Sequence, residues 1–226
     1  MNSPESELHG CIPMRLTHKA TDGPTNGLAI AIGPVIEAFA KVCKLSLTQA
    51  STDVARFAKR TRFRRKPKMG AMDVENAFWA MRKRLCLARI EKMANRFPKI
   101  LRTFGVSVKA LILILDLIWE DNFFVALGPL GPIFGRVLGC TMGNITSMPL
   151  CRVYYFCSLE EAMNIMGIKK FIYCKSGGDD ALCITWEEED LREFQKILNE
   201  LPDGWSYELR LPNEEGKLSF FDVMLE

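Results

Sequence analysis

Apolar and polar positions change their period along the chain, and the changes mark out elements. A turn-rich stretch from Thr21 leads into Leu28 to Ile32, a small apolar run that predicts a short strand. Pro34 then suits the first turn of a helix reaching about Lys44. A second helix is expected over 52–65, broken by Pro67 and Gly70, and Ala71 to Val74 reads as a buried strand. Residues 80–96 and 107–120 carry helical spacing. The first stripes Leu85, Ala88, Ile90 and Met93 against a basic back, and the second is apolar nearly all round. After Asn122 the period shortens: 123–127 and 133–138 flank a Gly-Pro-Leu-Gly turn and predict a hairpin. A helix is expected over 146–163, strands over 169–175 and 181–186, and a helix over 187–201 with Leu191, Phe194, Ile197, Leu198 and Leu201 on one face. A last hairpin is expected to pair 205–211 with 217–225. This order predicts an α+β fold, a small antiparallel sheet backed by helices.

Composition adds bounds. At 226 residues with 48% hydrophobic and 25% charged, the chain can bury a core without a disulfide or metal staple. The eight cysteines are scattered with no pair at zinc-ligand spacing, and His9 and His18 are the only imidazoles. That excludes a zinc finger pattern and gives a Ser-His or Cys-His pair little material. The longest apolar run, 111–118, is too short to span a bilayer, and no leader pattern opens the chain, so neither a membrane nor a secreted protein is expected.

Charge sharpens the picture. Residues 1–110 carry 21 Lys/Arg against 8 Asp/Glu, whereas 111–226 carry 9 against 19. A polyanion-facing first half joined to a carboxylate-rich second half fits this asymmetry. The positive charge peaks at Arg56, Lys59, Arg60, Arg62, Arg64, Arg65, Lys66 and Lys68, with Phe57 and Phe63 between them. Interleaved cations and aromatics suit a nucleic-acid backbone. The same run also fits a solvated face or a nuclear-import signal.

Two adjacent acids, Asp179 and Asp180, stand at the turn of an apolar hairpin. They repel one another unless a cation lies between them, and a hard divalent ion such as Mg²⁺ takes oxygen ligands. An ordinary solvated Gly-Gly-Asp turn fits as well. Asp73 sits on the expected buried strand, where an unpaired charge is costly, or at its surface end. Three such carboxylates brought together could hold two Mg²⁺ ions for in-line phosphoryl transfer.

Five collinear stretches carry a family resemblance. They are Thr17-His18-Lys19 with Gly23-Pro24; Met72-Asp73-Val74-Glu75-Asn76-Ala77-Phe78; and Gly139-Cys140-Thr141-Met142-Gly143-Asn144 with the helix to Glu161. Phe171-Ile172-Tyr173-Cys174 through Asp179-Asp180, and Gly216 through Val223, complete the set. Together they resemble reverse transcriptases, most closely those of Penelope-like eukaryotic retroelements. The resemblance implies a polymerase right hand, with fingers over 1–68 and palm over 69–226, the palm carrying a helical and hairpin insertion at about 80–138. It implies an RNA-directed DNA polymerase that adds deoxynucleotides to a DNA primer on an RNA template. Asp73, Asp179 and Asp180 are then the catalytic ligands of two Mg²⁺ ions. Phe78 is a steric gate against the ribose 2′-hydroxyl, and Gly143 allows close backbone approach. Lys19 and the 56–68 cluster meet triphosphate or template phosphates, and the setting is nuclear.

The chain departs from the family in places. Gly177 stands where an aromatic is usual, Asn26-Gly27-Leu28 where Arg-Pro-Ile is usual, and 144–149 replaces a Ser-Pro-Leu-Ser-Pro run. A thumb and a GIY-YIG region have no counterpart within these residues. Two other readings share the features. A polymerase-derived domain could bind nucleic acid without turnover. Gly177-Gly178-Asp179-Asp180 also resembles the Gly-Gly-Asp-Asp of CRISPR-associated polymerase/cyclase palms and the Gly-Gly-Asp-Glu of diguanylate cyclases.

Overall fold

The structure is a computed structural model, and it describes residues 24–44, 51–120, 123–125, 133–135, 139–140, 144–176, 180–220 and 223–225. Its centre is a four-stranded antiparallel sheet of β1 (Lys68–Glu75), β4 (Phe171–Ser176), β5 (Asp180–Thr185) and β6 (Ser206–Arg210), in the order β4-β5-β1-β6. Two further pairs stand apart, β2 (Phe123–Val125) with β3 (Ile133–Gly135) and β7 (Leu218–Phe220) with β8 (Val223–Leu225). The helices are α1 (Asn26–Lys44), α2 (Ser51–Arg60), α3 (Ala77–Ala80), α4 (Lys83–Arg96), α5 (Pro98–Phe104), α6 (Val108–Glu120), α7 (Ser147–Met166) and α8 (Glu188–Glu200). The α+β expectation therefore holds.

Period-two alternation along β1 divides the molecule into two cores. Met72 and Val74 join the larger core with α1, α4, α6, α7 and α8. Gly70 shares their face, and a Cβ there would lie 2.7 Å from Leu209 Cδ1 and 3.3 Å from Leu191 Cδ1, so its bareness lets α8 seat closely. Ala71 turns the other way, into a smaller core of Val54, Leu182, Ile184, Leu218, Phe220 and Leu225 that joins α2 and the β7–β8 pair to the sheet. Helix α1 belongs to the larger core with α7, so the chain on both sides of residue 68 contributes to one apolar interior.

The strand expected at 28–32 is overturned, for these residues are the start of α1. Ala29, Ile32, Val35, Ile36, Phe39, Ala40 and Cys43 are buried at helical spacing, while Leu28 and Ile30, which a strand would turn inward with Ile32, are exposed. Pro34 lies inside the helix rather than at its start. By length and composition α1 could also cross a membrane, at a mean hydropathy of 1.4, contrary to the expectation from the 111–118 run. Its apolar stripe is covered by the larger core.

The last hairpin is also corrected. Residues 206–210 pair with β1, not with the last segment, where 218–220 and 223–225 pair with each other as β7 and β8. The Asn199 side chain accepts from the Tyr207 amide (2.8 Å) and donates to the Tyr207 carbonyl (3.0 Å), and Gln195 donates to the same carbonyl (2.9 Å). The outer edge of β6 is thereby closed at its middle, where a further strand would have bonded. Helix α2 ends at Arg60, five residues before the expected limit, and leaves Arg62 to Lys66 in irregular chain that bends at Arg64 and Arg65 ahead of Pro67.

Candidate active site at one end of the sheet

Register brings the two described aspartates together. Asp73 is directly opposite Asp180 on β5 and directly opposite Glu208 on β6. Opposed residues in an antiparallel pair share a face, so one rung carries three acids on the side away from the large helical core. Like charges in that arrangement repel, and an arginine relieves them. Arg210 Nη2 lies 2.6 Å from Asp180 Oδ1 and 3.8 Å from Asp73 Oδ2. All three side chains stay partly accessible, at 41% for Arg210, 38% for Asp73 and 23% for Asp180.

Among the described residues no three His, Cys, Asp or Glu side chains gather around a single point, so Glu208 completes the rung without completing a cage. Asp179 lies outside the described residues. The donors that remain nevertheless suit Mg²⁺, which keeps several waters and is held by one or two carboxylates. Asp73 and Asp180 offer hard oxygen ligands on an accessible face, and a cationic group already lies against both.

The chain after Asp73 is held from two sides. Asn76 takes a left-handed conformation, φ 52°, which ends the strand and turns the backbone into α3. The Tyr155 hydroxyl donates to the Met72 carbonyl at 3.2 Å, and the Trp205 ring nitrogen donates to the Ala77 carbonyl at 2.8 Å. From the other side the Cys140 amide donates to the Phe78 carbonyl (2.8 Å) and the Gly139 amide to the Met81 carbonyl (3.1 Å). Gly139 has φ +78°, and a Cβ there would lie 2.5 Å from the Trp79 carbonyl oxygen. Only glycine fits that contact, which ties the first and second motifs together. Phe78, half-buried, is thereby fixed in α3 five residues beyond Asp73. Gly143 and Lys19 lie outside the described residues. Asn144 Oδ1 accepts from the amide and hydroxyl of Thr146 (2.9 and 2.8 Å) just ahead of α7.

Beneath this segment lies a polar network that the sequence did not disclose. Asp203, fully buried, accepts from the Ser158 hydroxyl (2.7 Å), the Tyr207 hydroxyl (2.8 Å) and the Trp205 amide (2.9 Å). Its carbonyl accepts from the Tyr154 hydroxyl at 2.6 Å. Buried Arg89 donates to Ser158 Oγ (2.8 Å) and the Tyr154 carbonyl (3.1 Å), lies over the Tyr154 ring, and meets Glu161 at 3.5 Å. Burial, with Asp203 close by, pushes the Tyr207 phenol well above its ordinary range, and burial does the same to Tyr154. The single sequence signal was Pro202-Asp203-Gly204, which reads as a plain turn.

The basic cluster is elsewhere. Lys68 pairs with Thr185 at the far end of the β1–β5 ladder, five residues and roughly 17 Å along the strand from the Asp73 rung. Arg56, Lys59, Arg60, Arg62, Arg64, Arg65, Lys66 and Lys68 are all exposed. Arg65 pairs with Glu187 at 3.0 Å and lies 4.6 Å over the Trp186 ring. Phe63 meets Trp186 edge-on, and Phe57 lies 4.2 Å from the Tyr173 ring. The structure therefore separates Lys68 and Arg65 from the carboxylates by most of the length of the sheet.

No protein-family model matches the chain, and no curated protein does. Solved structures do. The apo telomerase of Candida tropicalis, truncated of its C-terminal domain, superposes with a TM-score of 0.65 at 15% identity, over 91% of this chain and 44% of that one. The Candida albicans telomerase, in complex with a fragment of telomeric RNA, gives 0.64 at 12% identity over 91% and 38%. The RNA-dependent RNA polymerase of bacteriophage phi12 gives 0.53 at 14% over 80% and 29%. The fold is polymerase-like. This chain spans less than half the length of each of these neighbours.

Proposed function

We propose that this chain is the fingers-and-palm core of an RNA-directed DNA polymerase, a reverse transcriptase of retroelement type and nearest to the Penelope-like group. The observation that carries the reading is the register of Asp73 against Asp180 at the open end of a β4-β5-β1-β6 sheet in a polymerase-like fold. Residues 1–68 correspond to fingers and 69–226 to palm, with the insertion at about 80–138, and the setting is nuclear.

Asp73 and Asp180, with Asp179, are the residues that would hold Mg²⁺. Bound there, Mg²⁺ supplies Lewis-acid activation of a primer 3′-hydroxyl and charge neutralisation of a deoxynucleoside triphosphate. Asp73 and Asp180 aim their carboxylates to one side of one rung, which fixes where the reacting oxygens must come. Phe78, held by the Cys140 and Gly139 contacts, offers a rigid flat ring where the sugar of an incoming nucleotide would bear, and a 2′-hydroxyl would clash with it. Gly143 and Lys19 serve close backbone approach and the triphosphate. The 56–68 cations, a strand's length away, suit the backbone of an RNA template or RNA–DNA duplex beyond the reacting end.

Primer extension on an RNA template with deoxynucleotides and Mg²⁺, beside Asp73→Asn and Asp180→Asn, tests the reading. Extension in the wild type and none in either variant is the expected result. Salt-sensitive duplex binding with no extension would instead support a domain that binds nucleic acid without turnover. Gly177, in place of the usual aromatic, favours that second reading.

A further inference from the structure

The rung at Asp73 is held by a residue that sequence motifs do not single out. Arg210 stands on β6 directly opposite Ala71 of β1, and β1 lies between β6 and β5. To reach Asp180 on β5 the arginine side chain must cross β1, and small, buried Ala71 is the residue it crosses beside. The guanidinium arrives 2.6 Å from Asp180 and 3.8 Å from Asp73, while its buried Nε has no hydrogen-bond partner among the described residues. A fork with five donors is thus only partly satisfied, a weak hold for so long a reach. Mg²⁺ binds carboxylate oxygens at about 2.0–2.1 Å, so an ion between these two acids and the guanidinium cannot share that space.

We infer that Arg210 is a tethered cation that holds Asp73 and Asp180 together before the divalent ion arrives, and that it must swing out for the ion to bind. The inference rests on the metal-site reading above. Arg210 acts through the two aspartates and is a positioning residue. Its effect is on metal affinity: occupancy by the guanidinium competes with the ion and so weakens it. A partly exposed ion pair is worth up to about 1 kcal/mol, which sets the competition at about fivefold.

The test is metal titration of the whole chain without nucleotide or nucleic acid, reading free Mn²⁺ by electron paramagnetic resonance with Mg²⁺ as competitor. Arg210→Met should bind about fivefold more tightly than wild type, Arg210→Lys should fall between, and the gap should narrow as KCl is raised. Asp73→Asn should weaken binding in both the wild-type and the Arg210→Met background. Circular dichroism and a thermal melt establish that each variant folds, and Arg210→Lys keeps the comparison available where the Met variant does not. Equal or weaker binding in a folded Arg210→Met or Arg210→Lys, with Asp73→Asn still weakening it, overturns the role of Arg210 alone. Binding that ignores Asp73→Asn, or is absent from every variant, overturns the metal-site reading and this inference with it.

Discussion

Replacing Asp203 with alanine is the sharpest test of how the segment around Asp73 is supported. The carboxylate is fully buried and accepts three hydrogen bonds, from Ser158, Tyr207 and the Trp205 amide. Through Ser158 it also answers the charge of buried Arg89. Alanine removes the acceptor and strands two hydroxyls and a backbone amide, and among the described residues Arg89 keeps half-exposed Glu161 as its one counter-charge. Breaking a buried charge arrangement from one side costs about 3–5 kcal/mol. Against a total stability of about 5–15 kcal/mol, that is about a fifth of the fold or more. Asp203→Asn keeps the shape and one carbonyl acceptor, since hydroxyls can rotate, and should cost about 1–2 kcal/mol. Urea unfolding followed by circular dichroism and tryptophan fluorescence reads both, with an unchanged m-value as the check on two-state behaviour. Trp205 links the network to the Ala77 carbonyl, so the alanine variant should also loosen α3 and Phe78. A loss below about 1 kcal/mol for Asp203→Ala, or equal losses for both variants, would refute the argument that this carboxylate anchors the network.

Other expectations follow from single contacts. Gly139→Ala should cost about 2–4 kcal/mol, because a left-handed residue gains a Cβ that meets the backbone of Phe78 and Trp79, which cannot yield; a urea midpoint unchanged from wild type would contradict it. Stability should fall as pH rises above about 9. Burial pushes the Cys157 thiol up to about 11 and Cys43 up to about 12, against an ordinary 9.0, and lifts the Tyr154 and Tyr207 phenols as well. Groups held neutral in the folded state contribute fully below the unfolded pKa and lose that contribution as pH climbs through the folded one. A urea midpoint that stays flat from pH 7 to pH 10.5 would count against that burial. Arg62→Gln, Arg64→Gln and Lys66→Gln together should weaken RNA binding and reduce its salt slope by about 2, at about 0.7 per phosphate on a single strand. An unaltered slope in a fluorescence anisotropy titration would remove the cluster from the nucleic-acid surface.

Several features could be read from the residues alone. Strand β1 showed itself because Ala71 to Val74 is a short apolar run between breakers, and α8 because Leu191, Phe194 and Leu198 repeat at helical spacing. Asp73 and Asp180 stood out because charge inside or beside apolar strands is costly and needs a reason. Local pattern misjudges the start of α1, where a short apolar run has no clear period of its own and Pro34 reads as a boundary although it lies inside the helix. It also misjudged β6, since a strand's own sequence does not name its partner.

What the sequence determined by itself was the set of elements and the kinds of chemistry they carry. Periodicity and turn residues act over a few positions and are written locally. Only the tertiary structure decided which residues meet. It set Asp73 opposite Asp180, laid Arg210 across β1 to reach them, buried Asp203 with Ser158 and Tyr207, and carried the basic cluster to the other end of the sheet. The physical reason is that register and edge closure depend on contacts between segments far apart in the chain. A shift of one residue turns every side chain of a strand to the opposite face, and the choice is made by which faces are buried together. The site belongs to that choice, and the residues that support it are silent until the strands are paired.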